Sequence, residues 1–127
     1  MLSLAVRIVL GLHAIVLGAG YAMGPSQWYS AGTFTVVRSL GAPIPLWGAV
    51  FILAGALLLA LRRSAIGHVV ALMAFVFWGL ALAASLPAGQ LSGWGSLVHN
   101  LVLAAPLHAL GVWRRAQARV DARVGRT

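Results

Sequence analysis

The sequence has no cysteine, no lysine and no glutamate, and Asp121 is its only side-chain carboxylate. Without cysteine, disulfide scaffolds, thiol redox chemistry and cysteine-ligated metals are excluded. Charged residues make up only 8% of the chain, whereas a soluble globular domain contains about 25%. So few charges cannot cover a surface exposed to water, and we therefore expect the outer surface of the protein to face lipid.

Four long apolar stretches are separated by short polar breaks. A helix that crosses the hydrocarbon core needs roughly 20 apolar residues, with a range of about 17–25. The predicted spans run from about residue 4 to 24, 45 to 61, 65 to 86 and 94 to 113. The second span is the shortest. The sequence therefore predicts an all-α integral membrane protein, with a four-helix antiparallel bundle at 1–113, an outer loop at 25–44 and a basic tail at 114–127.

The positions of the arginines predict the orientation, because basic residues are enriched on the cytoplasmic side. If the N-terminus is cytoplasmic, only Arg38 of the nine arginines lies outside. The opposite orientation would misplace the other eight. We therefore predict a multi-pass protein of a bacterial cytoplasmic (inner) membrane with both termini cytoplasmic. A cleaved signal peptide at the first span is the alternative, although its apolar run is longer than a usual signal core.

Two local features concern the loop and the fourth span. In the outer loop, Ser30 is a candidate cap for a short helix with Phe34, Val37 and Leu40 on one side. Such a helix either lies flat on the outer leaflet or belongs to a loop packed over the bundle.

Pro106 lies inside the fourth span, where a proline removes a backbone hydrogen bond and kinks the helix.

Small residues recur at helical spacing along the spans. Helices in lipid associate through close packing, so small residues mark their contact faces. The predicted packing residues are Gly11, Ala14, Gly18, Gly48, Gly55, Gly67, Ala71 and Gly79. The pattern fits contacts within one subunit and contacts between copies equally well.

Ionisable side chains within the membrane are the first candidates for a functional site. The polar candidates here are His13, His68, His99, Asn100 and His108. No carboxylate joins them, which argues against proton-coupled multidrug transport of the kind that needs a membrane carboxylate. Ser96 extends the set at the outer end of the fourth span, where it forms either a polar pocket or part of a set of interhelical hydrogen bonds.

The spacing of the histidines bears on cofactors. His99 and His108 are nine residues apart on one helix, so they point to opposite sides. His68 and His108 have similar predicted depths, whereas His13 has no partner at its level. A metal site needs three or four ligands, so no metal and no cofactor is predicted, with haem or quinone as the alternative. The main expectation is hydrogen bonds between helices, worth about 1 kcal/mol each.

The remaining arginines lie beside the inner ends of the spans. Clustered basic residues attract anionic headgroups by about 1 kcal/mol each. The predicted topology and headgroup residues are Arg62, Arg63, Arg114, Arg115, Arg119 and Arg123. The expected partners are the lipid bilayer with its anionic inner-leaflet headgroups, and another copy or another membrane protein. Nucleic acid is not expected.

Two family resemblances follow from these motifs. PSQW (25–28), FTVVR (34–38) and WGA (47–49) resemble the small four-span proteins of actinobacteria and their phages, some of them holin-like. The layout is also similar to DoxX-like four-helix proteins, in the arginine that opens the first span and the glycine-rich second span. Many DoxX-like members carry an acidic residue in the second span, and this chain has none there.

The resemblances and the composition together predict a non-enzymatic membrane protein that acts through helix association in the bilayer. Holin-like permeabilisation, by oligomerisation through the glycine and alanine faces, is the specific form of this hypothesis. The alternative is an accessory subunit of a membrane redox or transport complex, in which the histidines and Asn100 contact a quinone or haem.

Overall fold

The computed structural model describes residues 4–25, 27, 34–41, 43–61, 64–85 and 94–125. Within these residues the chain is helical, with turns and no β-strand, so the all-α prediction is confirmed. The elements are α1 (Leu4–Met23), α2 (Thr35–Ser39), α3 (Ile44–Ala60), α4 (Ile66–Ala83), α5 (Trp94–Val98), a π-helix (His99–Ala104) and α6 (Ala105–Val124). The last three form one continuous helical segment.

Three helical segments are long and apolar enough to cross a membrane: Leu4–Met23, Ile66–Ala83 and Ser96–Val124. The chain thus has the helices of a membrane protein. Helix α3 is apolar but has 17 residues, at the lower end of the range of about 17–25 residues that cross a bilayer. A crossing by α3, and hence a fourth span, remains a prediction.

Helices α1 and α3 are antiparallel and pack backbone against backbone. A Cβ atom built on Gly18 would lie 2.5 Å from the carbonyl oxygen of Gly48, and one on Gly55 would lie 2.5 Å from that of Gly11. Real Cβ atoms do not approach backbone this closely, so only glycine fits at these positions. The close approach lets the two helices gain dispersion contacts along their length.

The other packing residues also lie inside the subunit. A Cβ atom on Gly67 would meet the backbone of Leu58 at 2.7 Å, and one on Gly79 would meet the side chain of Leu101 at 2.5 Å. All eight small residues predicted to pack are buried. The sequence left open whether they serve one subunit or several, and in this structure their contacts are within one subunit.

Aromatic side chains fill the space between α1, α3 and α4. Trp78, Phe51 and Phe75 are fully buried, and Trp78 Nε1 donates a hydrogen bond to the Tyr21 hydroxyl at 3.0 Å. This bond satisfies an indole N–H that burial would otherwise leave without an acceptor.

The loop helix α2 packs over this aromatic core. Val37 is fully buried, and the Phe34 ring contacts the rings of Tyr21 and Trp78 at 6.4 and 6.2 Å between centroids. Of the two alternatives for this loop, the structure thus has the one packed over the bundle. The proposed cap, Ser30, lies outside the described residues.

Pro106 lies at the start of α6, directly after the π-helix. The amide of Ala105 donates to the carbonyl of Asn100, five residues back, as expected for π-helical turns. A proline has no amide to donate and its ring needs room beside the preceding turn, and the wider π-helical turn supplies that room. Pro106 is thus preceded by a π-helix that contains His99 and Asn100.

The basic tail is a continuation of α6 rather than a separate segment. The helix runs without a break past Trp113 and Arg114 to Val124. Trp113 is 63% exposed, and the residues after it are exposed except for the half-buried Arg115. The predicted headgroup residues Arg62 and Arg63 lie outside the described residues.

Candidate functional site

Arg7 is buried at the start of α1, where it caps the end of α3. Its Nε donates to the carbonyl of Leu58 and its Nη2 to that of Leu61, both at 2.5 Å. The last carbonyls of a helix lack partners within the helix and carry partial negative charge. A guanidinium therefore satisfies both needs at once. The sequence placed Arg7 only among the cytoplasmic arginines, and it did not predict this buried contact.

His13 of α1 and His99 of the π-helix form a hydrogen-bonded pair, with 2.8 Å between their Nε2 atoms. The prediction that His13 has no partner at its level was wrong. That prediction counted depth along regular α-helices. His99 instead belongs to a π-helix, which a count along regular α-helices does not include.

His68 of α4 and His108 of α6 form a second pair, with 3.4 Å between their Nδ1 atoms. These are the two histidines whose depths the sequence matched. A neutral imidazole has one N–H donor and one acceptor nitrogen, so one ring donates through Nδ1 and the other accepts. His108 is fully buried, and no described residue forms a hydrogen bond with its Nε2.

Phe75 of α4 connects the two pairs. Its ring stacks on His13 at 5.7 Å between centroids and on His108 at 5.3 Å, with interplanar angles of 11° and 15°. It also contacts His99 edge-on at 6.4 Å. The four histidines and Phe75 are hereafter called the histidine cluster. The sequence predicted that His99 and His108 would not share a site: they do not bond each other, but each contacts Phe75.

Asn100 lies beside the cluster but bonds to its own helix. Its Nδ2 donates to the backbone carbonyl of Ser96 at 2.5 Å. Its Oδ1 is buried without a donor, and the Ser96 side chain is exposed. The polar pocket considered for Ser96, His99 and Asn100 is thus not formed by their side chains. His99 turns towards α1, and Asn100 turns towards α4.

The cluster geometry does not fit a haem or a metal ion held between paired histidines. A metal held by two imidazoles lies between them at about 2 Å from each nitrogen, whereas the Nε2 atoms of His13 and His99 bond each other directly. Among the described residues, no group of three His, Cys, Asp or Glu side chains is arranged to hold a metal ion. No chemical step is therefore assigned to a cofactor.

Beyond the cluster, a cavity of about 290 Å³ opens where α1 begins and α6 leaves the bundle. His68 lines this cavity as well as contacting His108, so the His68–His108 pair borders a space outside the packed core. Arg7 and Arg115 also line it. The sequence predicted Arg115 as a headgroup residue but gave no signal for the cavity itself, because its walls come from three distant segments.

Over the described residues, fold and site together define a helical protein with three helices long and apolar enough to cross a membrane. Its buried polar groups include His68, His108 and Arg7. No protein family, curated protein or solved structure matches the chain. The resemblances to holin-like and DoxX-like proteins therefore remain predictions from sequence motifs.

Proposed function

We propose that the chain is a four-span protein of a bacterial cytoplasmic membrane with both termini in the cytoplasm. Three of its helices are long enough to cross, and antiparallel packing of α3 against α1 supports a fourth crossing. The orientation is supported by the arginines, of which eight of nine agree with it. Exposed Trp113 next to Arg114 and Arg115 supports an inner boundary there.

We further propose that the protein carries protons within the membrane along the histidine cluster. The observation behind this proposal is that two histidine pairs meet at one phenylalanine inside the bundle. Ionisable groups within a membrane are costly and are found in proton relays built from Asp, Glu and His. Here histidines alone would have to serve, because Asp121 is in the tail.

A purely structural role for the histidines is the competing interpretation. Histidine is not needed for that role, because Ser, Thr, Asn and Gln side chains also form hydrogen bonds between helices. Four titratable rings in two contacting pairs are better explained by side chains that accept and release protons during function.

The proposed path has three parts. His68 exchanges protons with the cavity at the inner end, and the His68–His108 contact of 3.4 Å passes them into the core. His13 and His99, both half-buried, continue the path on the other side of Phe75. A phenyl ring carries no proton, so transfer between the pairs requires Phe75 to move or a water molecule to enter. Movement of Phe75 is the expected slow step.

Proton flux into liposomes tests this proposal. The purified chain is reconstituted with a pH-sensitive dye inside and a potassium diffusion potential to drive proton entry. Replacing His108 by Gln keeps a hydrogen-bonding side chain but removes the titrating ring. We expect the flux to fall by about a hundredfold, the lower end of what a positioned proton-transfer group contributes. Val102→Ala, at an exposed position of the same helical segment, should leave it unchanged.

The same liposomes separate proton transfer from holin-like permeabilisation. A permeabilising assembly would release a larger entrapped dye, and His108→Gln would not stop that release. Such an assembly would also need a contact surface other than the predicted glycines, because they are occupied by packing within the subunit. Equal proton flux in the wild type, in His108→Gln and in empty liposomes would overturn the proton proposal.

A further inference from the structure

The cavity at the end of the bundle has strongly basic walls. Its charged lining groups are Arg7, Arg114, Arg115 and Asp121. Three arginines and one aspartate thus line the cavity, which leaves two net positive charges with His68 neutral. Asp121 is also engaged on its own helix, where its Oδ1 accepts a hydrogen bond from Gln117 Nε2 at 3.2 Å. A ligand in this cavity would therefore have to be an anion.

Arg7 gives this cavity a fixed positive charge. Its guanidinium is held by the carbonyls of Leu58 and Leu61, and the residue is only 5% exposed. An arginine held by the fold before a ligand arrives loses little side-chain entropy when it binds an anion. Arg114 and Arg115 belong to α6, so the basic groups come from both ends of the chain and meet only in the folded bundle.

The depth of the cavity points to lipid headgroups. Trp113 on its wall is 63% exposed, and exposed tryptophans beside apolar spans lie at the headgroup level. Directly after Trp113, α6 becomes polar and exposed. The volume of about 290 Å³ is at the lower limit of small-molecule pockets, which measure about 300–1,000 Å³. It suits a headgroup better than a whole lipid or a drug-sized ligand.

We infer that this cavity binds the phosphate of an anionic phospholipid headgroup. Arginine is well suited to phosphate, because its planar fork donates two parallel hydrogen bonds. The assignment to the inner leaflet rests on the proposed orientation, whereas the headgroup chemistry does not. It is also independent of proton transfer, since lipid binding can be measured without any proton gradient.

Lipid titration of the full chain in detergent tests this site. The probes are a short-chain phosphatidylglycerol, the matching phosphatidylcholine and inorganic phosphate, with bound lipid counted by native mass spectrometry. We expect phosphatidylglycerol to bind more tightly than phosphatidylcholine. The double variant R114Q/R115Q should weaken phosphatidylglycerol binding by about 25-fold, which corresponds to about 1 kcal/mol for each arginine.

Two further variants guard against misfolding and against diffuse electrostatics. Asp121→Asn removes the carboxylate from the wall and should tighten phosphatidylglycerol binding by about fivefold, a gain that a damaged fold cannot produce. R119Q/R123Q removes the same charge as the double variant from exposed positions outside the cavity lining. Because these two arginines can attract headgroups only from the exposed helix surface, their loss should weaken binding clearly less than R114Q/R115Q does.

Each other outcome counts against the inference. Equal weakening by R119Q/R123Q would show that the whole basic helix attracts lipid and that the cavity does not bind it. Equal binding of the two lipids would overturn the anionic headgroup as the ligand. Displacement of phosphatidylglycerol by inorganic phosphate at similar concentrations would keep the phosphate chemistry but transfer the site to a soluble ligand.

Discussion

The α1–α3 contact and the contact of α4 with the π-helix and α6 are both antiparallel, but they use glycine differently. Between α1 and α3 the atoms nearest the Gly18 and Gly55 positions include the backbone of the opposite helix. Between α4 and the fourth helical segment, a large side chain lies over each glycine. Leu101 covers Gly79, and the His68 ring covers Gly111.

This difference explains why the polar groups are where they are. Two backbones in contact leave no room for a side chain, so the glycines of the α1–α3 contact contribute packing alone. A glycine opposite a side chain instead creates a recess that holds one ring. Gly111 provides such a recess for His68, and His68 in turn meets His108. The His68–His108 pair thus belongs to the helix pair whose glycines leave room for side chains.

The largest effect should come from a methyl group added to the α1–α3 contact. In Gly18→Ala the new Cβ would lie 2.5 Å from the Gly48 carbonyl oxygen and 2.8 Å from the Ile52 amide nitrogen. Backbone cannot yield as a side chain does, so we expect about 3 kcal/mol of destabilisation, the upper end for overpacking. Unfolding in mixed detergent micelles, followed by circular dichroism, measures it.

Gly20→Ala is the matched control, because a Cβ at Gly20 meets nothing within 4 Å. It should leave stability unchanged or raise it by up to about 1 kcal/mol, the helix propensity of Ala over Gly. An equal loss of unfolding free energy in Gly18→Ala and Gly20→Ala would mean that Gly18 is packed no more tightly than the open position at Gly20.

A smaller effect is expected where α1 caps α3. Arg7→Gln removes the charged guanidinium that donates hydrogen bonds to the carbonyls of Leu58 and Leu61. Hydrogen bonds to charged groups contribute about 1.5–3 kcal/mol, so we expect a loss of about 2 kcal/mol in unfolding free energy. Hydrogen exchange should quicken in the last turn of α3 before any other helix.

Arg38→Gln serves as the control for this change. Arg38 is exposed, and the hydrogen bond shown for it reaches Thr35 Oγ1 at 3.3 Å. Its replacement should change stability by less than about 0.5 kcal/mol, as surface substitutions usually do. If Arg7→Gln were equally mild, the buried guanidinium would contribute no net stability to the end of α3.

Composition and spacing predicted much of this fold. Few charges and long apolar stretches predicted apolar helices, and three of the helices are long enough to cross a membrane. Small residues at helical spacing mark where helices touch, so Gly18, Gly48 and Gly79 could be identified from their positions in the chain alone. Those features depend on local sequence and on the solvent. They do not depend on how far one helix slides along another.

The candidate site depends on the relative position of packed helices along their axes, and the spacing of residues in the sequence does not determine that position. His13 meets His99, a residue of the π-helix that precedes Pro106. The proline was visible in the sequence, but the π-helix and this contact were not. Arg7 resembles a topology arginine in sequence, and its burial depends on where α3 ends. Phe75 is one apolar residue among many in its span, and no sequence signal distinguishes it.

The smallest effect on stability, and the most specific one, is expected at Gly111. In Gly111→Ala the new Cβ would lie 2.5 Å from His68 Nδ1, the atom that faces His108. A ring can turn away where backbone cannot. The overpacking penalty, at the low end near 1 kcal/mol, should therefore be largely offset by the helix propensity of alanine, which contributes about 1 kcal/mol.

The effect should instead appear in the histidine signals. In nitrogen NMR of histidine-labelled protein, the His68 and His108 resonances should move as their contact breaks, while those of His13 and His99 stay in place. Gly20→Ala, which adds the same methyl group in open space, should move none of them. If the resonances of all four histidines moved together, the two pairs would be coupled through Phe75. The effect of Gly111 would then not be confined to the contact between α4 and α6.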